Sequence, residues 1–300
     1  MGVVPDRLAL SLWERVRAGK EPWFMGLRDE VLKEMYVTMR LARRLDERAW
    51  ILHRQGKIAF HISGIGHGAA QVGAAFALDR GQDWVVPYYR DLALMLGFGY
   101  PSRDFILGLM GKKGEPTSGA RQMPSHWSLR KAYIVSHSSP VGTQTPHASG
   151  IGLAIKLQGS SQVVLTSIGE GSTSRGEWYE GANWAAIHKL PVIFLVENNV
   201  YAISVRQDLQ MAVECVADKD KGLGLPGESI NGLDAIEVCE AVSAAVERAR
   251  SGQGPTLIEL RVSRMTPHSS DDDDRSYRPR EEVEVMKALD PVPTFAESLL

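Results

Sequence analysis

Three short apolar runs, 163–168, 191–196 and 256–262, alternate with two stretches of helical periodicity, 177–188 and 234–250. An unbroken apolar run of this length suits a strand buried on both faces. Strand–helix–strand alternation predicts an α/β fold, a parallel sheet flanked by helices. Ligands of such sheets bind beyond the carboxyl ends of the strands, so the residues that follow each run are the first to read for chemistry.

The remaining chain fits around that unit. Leu27, Val31, Met35, Met39, Ala42, Leu45, Ala49 and Leu52 recur at helical spacing and predict a helix over 27–54, stopped at Gly56. Residues 67–78 read as a helix of small side chains, suited to close packing. A short strand is expected over 84–87, then a Tyr88-Tyr89-Arg90-Asp91 turn and a further apolar helix. The segment 111–150 is rich in Gly, Ser, Thr, Pro and His with little periodicity, as expected of a functional loop. Residues 1–26 read as an N-terminal arm and 27–300 as one domain.

At 44% hydrophobic and 23% charged residues, the chain can fill a sizeable core. Its formal net charge of −2 gives no global reason to expect nucleic acid or an anionic membrane as partner. No run of about 18 uninterrupted apolar residues predicts a membrane span. Charged residues such as Asp6, Arg7 and Glu14 break the apolar stretches near the start, unlike a signal peptide. Cys215 and Cys239 suggest no disulfide framework. A cytoplasmic protein is the expectation.

The run 163–168 leads into Gly169-Glu170-Gly171, and the next into Glu197-Asn198-Asn199. Both fall at the same edge of a parallel sheet. A carboxylate, an amide oxygen and nearby carbonyls make a hard oxygen site, which suits Mg²⁺ shared with phosphate and water. Glycines there let backbone approach a diphosphate closely. Alone, Gly-Glu-Gly is a tight turn; the paired asparagines one strand later give it meaning.

With the segment 169–177 (Gly-Glu-Gly-Ser-Thr-Ser-Arg-Gly-Glu), this pair resembles the thiamine-diphosphate motif of the alpha subunits of 2-oxo acid dehydrogenases, with Glu where Asp is commoner. Residues 119–126 (Gly-Ala-Arg-Gln-Met-Pro-Ser-His), 138–144 (Ser-Ser-Pro-Val-Gly-Thr-Gln) and 267–272 (Pro-His-Ser-Ser-Asp-Asp) extend the resemblance over roughly 25–300. It implies a thiamine-diphosphate-binding fold. Glu170 and Asn199 would ligate Mg²⁺ by side chain and Tyr201 by its carbonyl. Tyr89 and Arg90 would meet the diphosphate, with Gly169, Gly171 and Ser172 in the same cofactor turn. Ser139 and Val141 would lie near the aminopyrimidine. Ser138, Pro140, Thr143 and Gln144 match a loop that holds K⁺ in branched-chain relatives. His268 would be the catalytic acid–base group, since imidazole titrates near neutrality. Phe60 and His61 would border the substrate.

The resemblance also implies partners: a beta subunit in a heterotetramer of two alpha and two beta chains, and the lipoyl domain of a dihydrolipoyl acyltransferase. The aspartates 271–274 would belong to a loop that orders over the cofactor, and Ser269 matches a phosphorylation position of mitochondrial relatives. Leu92, after the Tyr-Arg pair, the 120–124 segment and the Ser-Ser-Asp-Asp loop at 269–272 lean toward branched-chain substrates; a pyruvate or acetoin enzyme is the alternative. Three departures stand out. Gly68 replaces a usual glutamate, Glu197 a basic residue of some relatives, and the chain ends at Leu300 where relatives continue, so a shortened helical tail is expected. A non-catalytic scaffold subunit would fit Gly68 and the short tail. A nicotinamide dehydrogenase reading of 64–68 (Gly-Ile-Gly-His-Gly) lacks a buried strand leading in.

Overall fold

Residues 27–299 are described by a computed structural model; the expected arm over 1–26 lies outside the described residues. The first helix, α1 (Asp29–Arg54), buries one stripe that includes Leu32, Met35, Met39 and Ala49. Asp46 sits within that stripe, and its carboxylate is satisfied by His61 and the backbone N–H of Gly64. Next come α2 (Gly68–Phe76), β1 (Trp84–Val86), α3 (Leu92–Gly97), α4 (Ser102–Leu109) and α5 (Gln144–Leu157). The central unit follows as β2 (Val164–Gly169), α6 (Gly176–Ile187) and β3 (Val192–Asn198). A small hairpin, β4 (Tyr201–Ala202) and β5 (Val205–Arg206), leads to two one-turn helices, α7 (Gln207–Gln210) and α8 (Asp220–Leu223). The chain then forms β6 (Gly227–Asn231), α9 (Ala235–Arg250), β7 (Thr256–Arg261), α10 (Arg280–Ala288) and α11 (Pro291–Ser298).

The five main strands pair in parallel in the order β1-β2-β3-β7-β6. Successive strand residues face opposite sides. Leu165, Ile193, Leu195 and Ile258 join one apolar cluster with α1, α2 and α9. Val164, Val192, Phe194 and Leu257 join another with α5 and α6, where Trp178 meets Phe194 edge-to-face. That is why the strand runs are apolar without alternation. Small residues let α2 approach α9: a Cβ on Gly73 would lie 2.5 Å from the carbonyl of Ala235.

The predicted helices and strands of the central unit form within a few residues of their expected bounds. Two features differ, and a third agrees with the sequence. Helix α5 starts at Gln144, inside the expected loop, because Thr145, Ala148, Ser149 and Gly152 pack as a small-residue face. Strand β6 was not apparent in the sequence, since this partly exposed edge strand is polar (Gly-Glu-Ser-Ile-Asn). The 64–68 glycines lie between α1 and α2 with no strand leading in, which removes the nicotinamide reading. Gly66 is needed there for another reason. Its φ is +100°, and a Cβ would sit 1.7 Å from the carbonyl oxygen of Ser263, beyond β7. Gly66→Ala should destabilise the protein by about 3 kcal/mol or more, read as a lowered unfolding midpoint in thermal or denaturant melts.

Candidate functional site

Parallel pairing sets Gly169 opposite Glu197, and Asn198 opposite Arg261. The turns after β2, β3 and β7 therefore leave the sheet side by side, and the turn after β1 joins them. Glu170 is buried and its Oε2 accepts from the backbone N–H of Asn199 at 3.2 Å. The side-chain Oδ1 of Asn199 is also buried and has no hydrogen-bond partner among the described residues. Burial raises the Glu170 pKa, while the Asn199 N–H and the guanidinia of Arg264 and Arg90 oppose the rise.

Asn198 holds the turn in place. Its amide donates to Glu259 of β7 at 2.6 Å and to Gln207 at 2.7 Å, and its Oδ1 accepts from Val200 N–H at 2.9 Å. Val200 and Ile203 both adopt left-handed φ, +63° and +59°, a costly choice for β-branched side chains. Between them Tyr201 is gripped by two guanidinia, of Arg264 and Arg278, each 5.3 Å from its ring centre, and its hydroxyl donates to Glu282 of α10.

Arg90, in the turn after β1, is almost wholly buried. Its guanidinium donates to the carbonyl of Ser63 at 2.6 Å and lies 3.3 Å from His268 Nδ1. Arg264, equally buried, donates to Ile203 O and to the Tyr277 hydroxyl, leaving its Nε without a partner. Among the described residues no carboxylate forms an ion pair with either arginine. Two desolvated cations without a direct ion pair, beside an oxygen pair with one vacant acceptor, suit an anion bound through a divalent metal. No set of three or more His, Cys, Asp or Glu side chains gathers for a metal among the described residues; the donors here are instead one carboxylate and one amide, the hard set that Mg²⁺ accepts. Arg264 was missed in the sequence. The available signal was a basic residue between the β7 exit and His268.

His268 accepts from Arg90 at Nδ1, so its ring proton lies on Nε2. Its backbone N–H donates to Asp272 at 2.8 Å. Burial, then Arg90 and Arg264, lower its pKa to about 4. The aspartate run is braced: Asp272 also accepts from Tyr277, Asp273 pairs with Arg275, and Asp274 with Arg278. Tyr89 packs edge-on to His268. Ser269 is buried, and Ser270 exchanges hydrogen bonds with the backbone of His61.

The 138–144 loop is drawn together as expected. Ser138 Oγ lies 2.7 Å from Thr143 Oγ1, which donates to Pro140 O at 3.0 Å, while the buried Gln144 Oε1 has no partner. The loop rests on the 170–175 turn, since a Cβ on Gly142 would lie 3.6 Å from Ser172 O. Gly142, next in sequence to Val141, is therefore close to Arg175 and to the carbonyl of Ser172. Ser139 instead meets His126, whose Nδ1–H donates to Pro124 O. His61 is buried against Asp46, so of the two expected substrate neighbours only Phe60 retains partial exposure. A Cβ on Gly68 would touch only Met39 Cγ at 4.0 Å, and Arg43 and Asp46 nearby are satisfied by Asp290 and His61. Leu92 borders the same small cavity.

His268 and His137 are both held near pKa 4, His137 by burial and then by His126. The unfolded chain, with histidine near 6.5, binds more protons between those values. Their contribution to stability is thus full above about pH 6.5 and is lost as pH falls toward 4. Unfolding midpoints should decline over that window, and His137→Gln should flatten the decline; an unchanged slope would contradict the assignment.

The sequence was compared with known proteins. Residues 36–300 match the family model described as "Dehydrogenase E1 component". The chain is 54% identical to the 2-oxoisovalerate dehydrogenase subunit alpha of Bacillus subtilis (strain 168), over 90% of this chain and 82% of that protein. It is 36% identical to the pyruvate dehydrogenase E1 component subunit alpha of Staphylococcus aureus (strain Mu50), over 91% and 71%. It is 36% identical to the 3-methyl-2-oxobutanoate dehydrogenase subunit alpha of Mycobacterium tuberculosis (strain CDC 1551), over 90% and 70%. With a sheet edge that gathers Glu170, Asn199, Arg90 and His268, and a match over most of its length, this chain belongs to the dehydrogenase E1 component family.

Proposed function

We propose that the chain is the alpha subunit of a branched-chain 2-oxo acid dehydrogenase of the 3-methyl-2-oxobutanoate type, decarboxylating 2-oxo acids oxidatively and passing the acyl group to a lipoyl arm. The observation that carries this reading is the pair of buried guanidinia, Arg90 and Arg264, that form no ion pair among the described residues and lie beside Glu170 and the Asn199 oxygen that has no partner there. Thiamine diphosphate, when bound, supplies the electron sink that a departing carboxylate needs and that side chains lack. Glu170, Asn199 and the Tyr201 carbonyl hold Mg²⁺. Arg90 and Arg264 neutralise the diphosphate, with Tyr89 alongside and Gly169, Gly171 and Ser172 allowing close approach. Ser139 and Val141 face the aminopyrimidine.

In this reading His268 is uncharged at neutral pH and offers its Nε2–H to the reacting atoms. Ser138, Pro140, Thr143 and Gln144 surround K⁺, a reading supported by the vacant Gln144 oxygen. Phe60 borders the acyl chain, while His61, hydrogen-bonded to Asp46, holds the backbone next to it. Residues 27–300 work as one unit with a beta subunit in an alpha-two beta-two assembly. Exposed Tyr179, Trp184 and Ile187 on α6, with Leu157 on α5, supply apolar surface for a partner. A lipoyl domain of a dihydrolipoyl acyltransferase is the acceptor. The cytoplasm is the proposed setting; among the described residues no helix is long and apolar enough to cross a membrane. The greater identity to the 2-oxoisovalerate relative favours branched substrates over pyruvate.

Calorimetric titration of the alpha–beta complex should show Mg²⁺-dependent binding of thiamine diphosphate. Glu170→Ala or Asn199→Ala should weaken it by about 100-fold. The complex should turn over 3-methyl-2-oxobutanoate faster than pyruvate, and the alpha chain alone should be inactive. A clear preference for pyruvate would replace the substrate assignment.

A further inference from the structure

Glu197 ends β3 only two residues before Asn199, yet it does not belong to the cation pocket. Its carboxylate is wholly buried and turned toward α2 and the turn after β1. His67 Nδ1 lies 2.5 Å from Oε2, Gln71 Nε2 donates to the same oxygen at 3.0 Å, and the Tyr88 hydroxyl donates at 3.4 Å. Burial keeps His67 uncharged, so its Nδ1–H is the donor. Glu197 also hydrogen-bonds the carboxyl of Asp91, and burial drives both acids upward.

Gln71 is the member of this cluster that reaches the arginine turn. The same Nε2 that donates to Glu197 donates to the carbonyl of Arg90 at 3.0 Å, and Oε1 accepts from the N–H of Ala93 at 3.0 Å. Gly64 closes the other side, where a Cβ would lie 2.7 Å from the same Arg90 carbonyl. Asp91 secures the start of the turn, accepting from Tyr88 N–H at 2.9 Å and from the hydroxyl of Ser167 in β2. The backbone of Arg90 is thus fixed from beneath while its guanidinium is fixed by the Ser63 carbonyl.

We infer that Gln71, itself held by Glu197 and His67, is a positioning residue for Arg90, presetting the guanidinium for an anionic ligand. The acidic residue at 197 therefore does not oppose a diphosphate. Its charge is absorbed by donors beneath the site, and its effect reaches the ligand as order in the arginine turn. Prepaid order of this kind appears as affinity, because less freedom is lost on binding. The inference rests on the reading of Arg90 as a diphosphate ligand.

The test is a double-mutant cycle in the alpha–beta complex, with thiamine diphosphate affinity measured at saturating Mg²⁺. Gln71→Leu should weaken binding by about tenfold when Arg90 is present and add nothing in an Arg90→Met background. The loss should appear in cofactor affinity more than in turnover at saturating cofactor. Equal losses in both backgrounds, or none in either, overturn the inference. Should Gln71→Leu fail to assemble, Glu197→Gln, which keeps shape and one acceptor oxygen, is measured in the same two backgrounds. A smaller loss that vanishes with Arg90→Met supports the inference, and a loss that persists overturns it. A wild-type complex that binds no thiamine diphosphate defeats the functional reading itself, and is distinguishable because no variant is involved.

Discussion

Everything at the site depends on the register of three parallel strands. Gly169 stands level with Glu197, and Asn198 with Arg261, so that Glu170, Asn199 and the segment leading to His268 leave the sheet at one height. Apolar burial alone would not secure this, because both sheet faces are apolar and a slip by one residue would trade one greasy surface for another. Polar residues within the strands supply the missing discrimination. Thr166 donates to Val86 O, Ser167 to Asp91, and Asn198 to Glu259. Each bond is buried and would be stranded by a shift, a cost of about 1–3 kcal/mol apiece.

Arg90 and Arg264 are kept in a desolvated pocket where, among the described residues, no carboxylate pairs with them directly, which costs the fold. Carbonyls of Ser63 and Ile203 and the rings of Tyr201 and Tyr277 offset part of that cost without neutralising the charge. A ligand that completes the charge balance adds its binding free energy to stability. The braced aspartate loop extends this logic: Asp272 joins the backbone of His268 to Tyr277, which in turn meets Arg264.

Much of this was legible in the sequence. Unbroken apolar runs marked β2, β3 and β7, and the polar residues after them marked Glu170, Asn199 and His268. The motif at 138–144 marked a turn in which Ser138, Thr143 and Pro140 come together. Other parts were hidden for physical reasons. Helix α5 carries small and polar residues because it packs closely against α6, where a Cβ on Gly181 would meet Thr145 and Pro146. Arg264 is an ordinary arginine until the fold removes it from water. Glu197 stood in the sequence as an acid where some relatives carry a base near the diphosphate, and only the fold reveals His67, Gln71 and Tyr88 around it. Glycine at position 68 leaves no nearby charge stranded, because Arg43 pairs with Asp290, far along the chain.

The left-handed backbone of Val200 and Ile203 carries a consequence for how such a protein ages and evolves. Each holds about 1–3 kcal/mol of conformational tension, released whenever the hairpin around Tyr201 opens. Replacement by glycine would ease that tension yet widen the set of shapes open to the loop. Heat resistance and a firm grip therefore pull apart at these two residues. Lineages selected for one should show drift in the other there first.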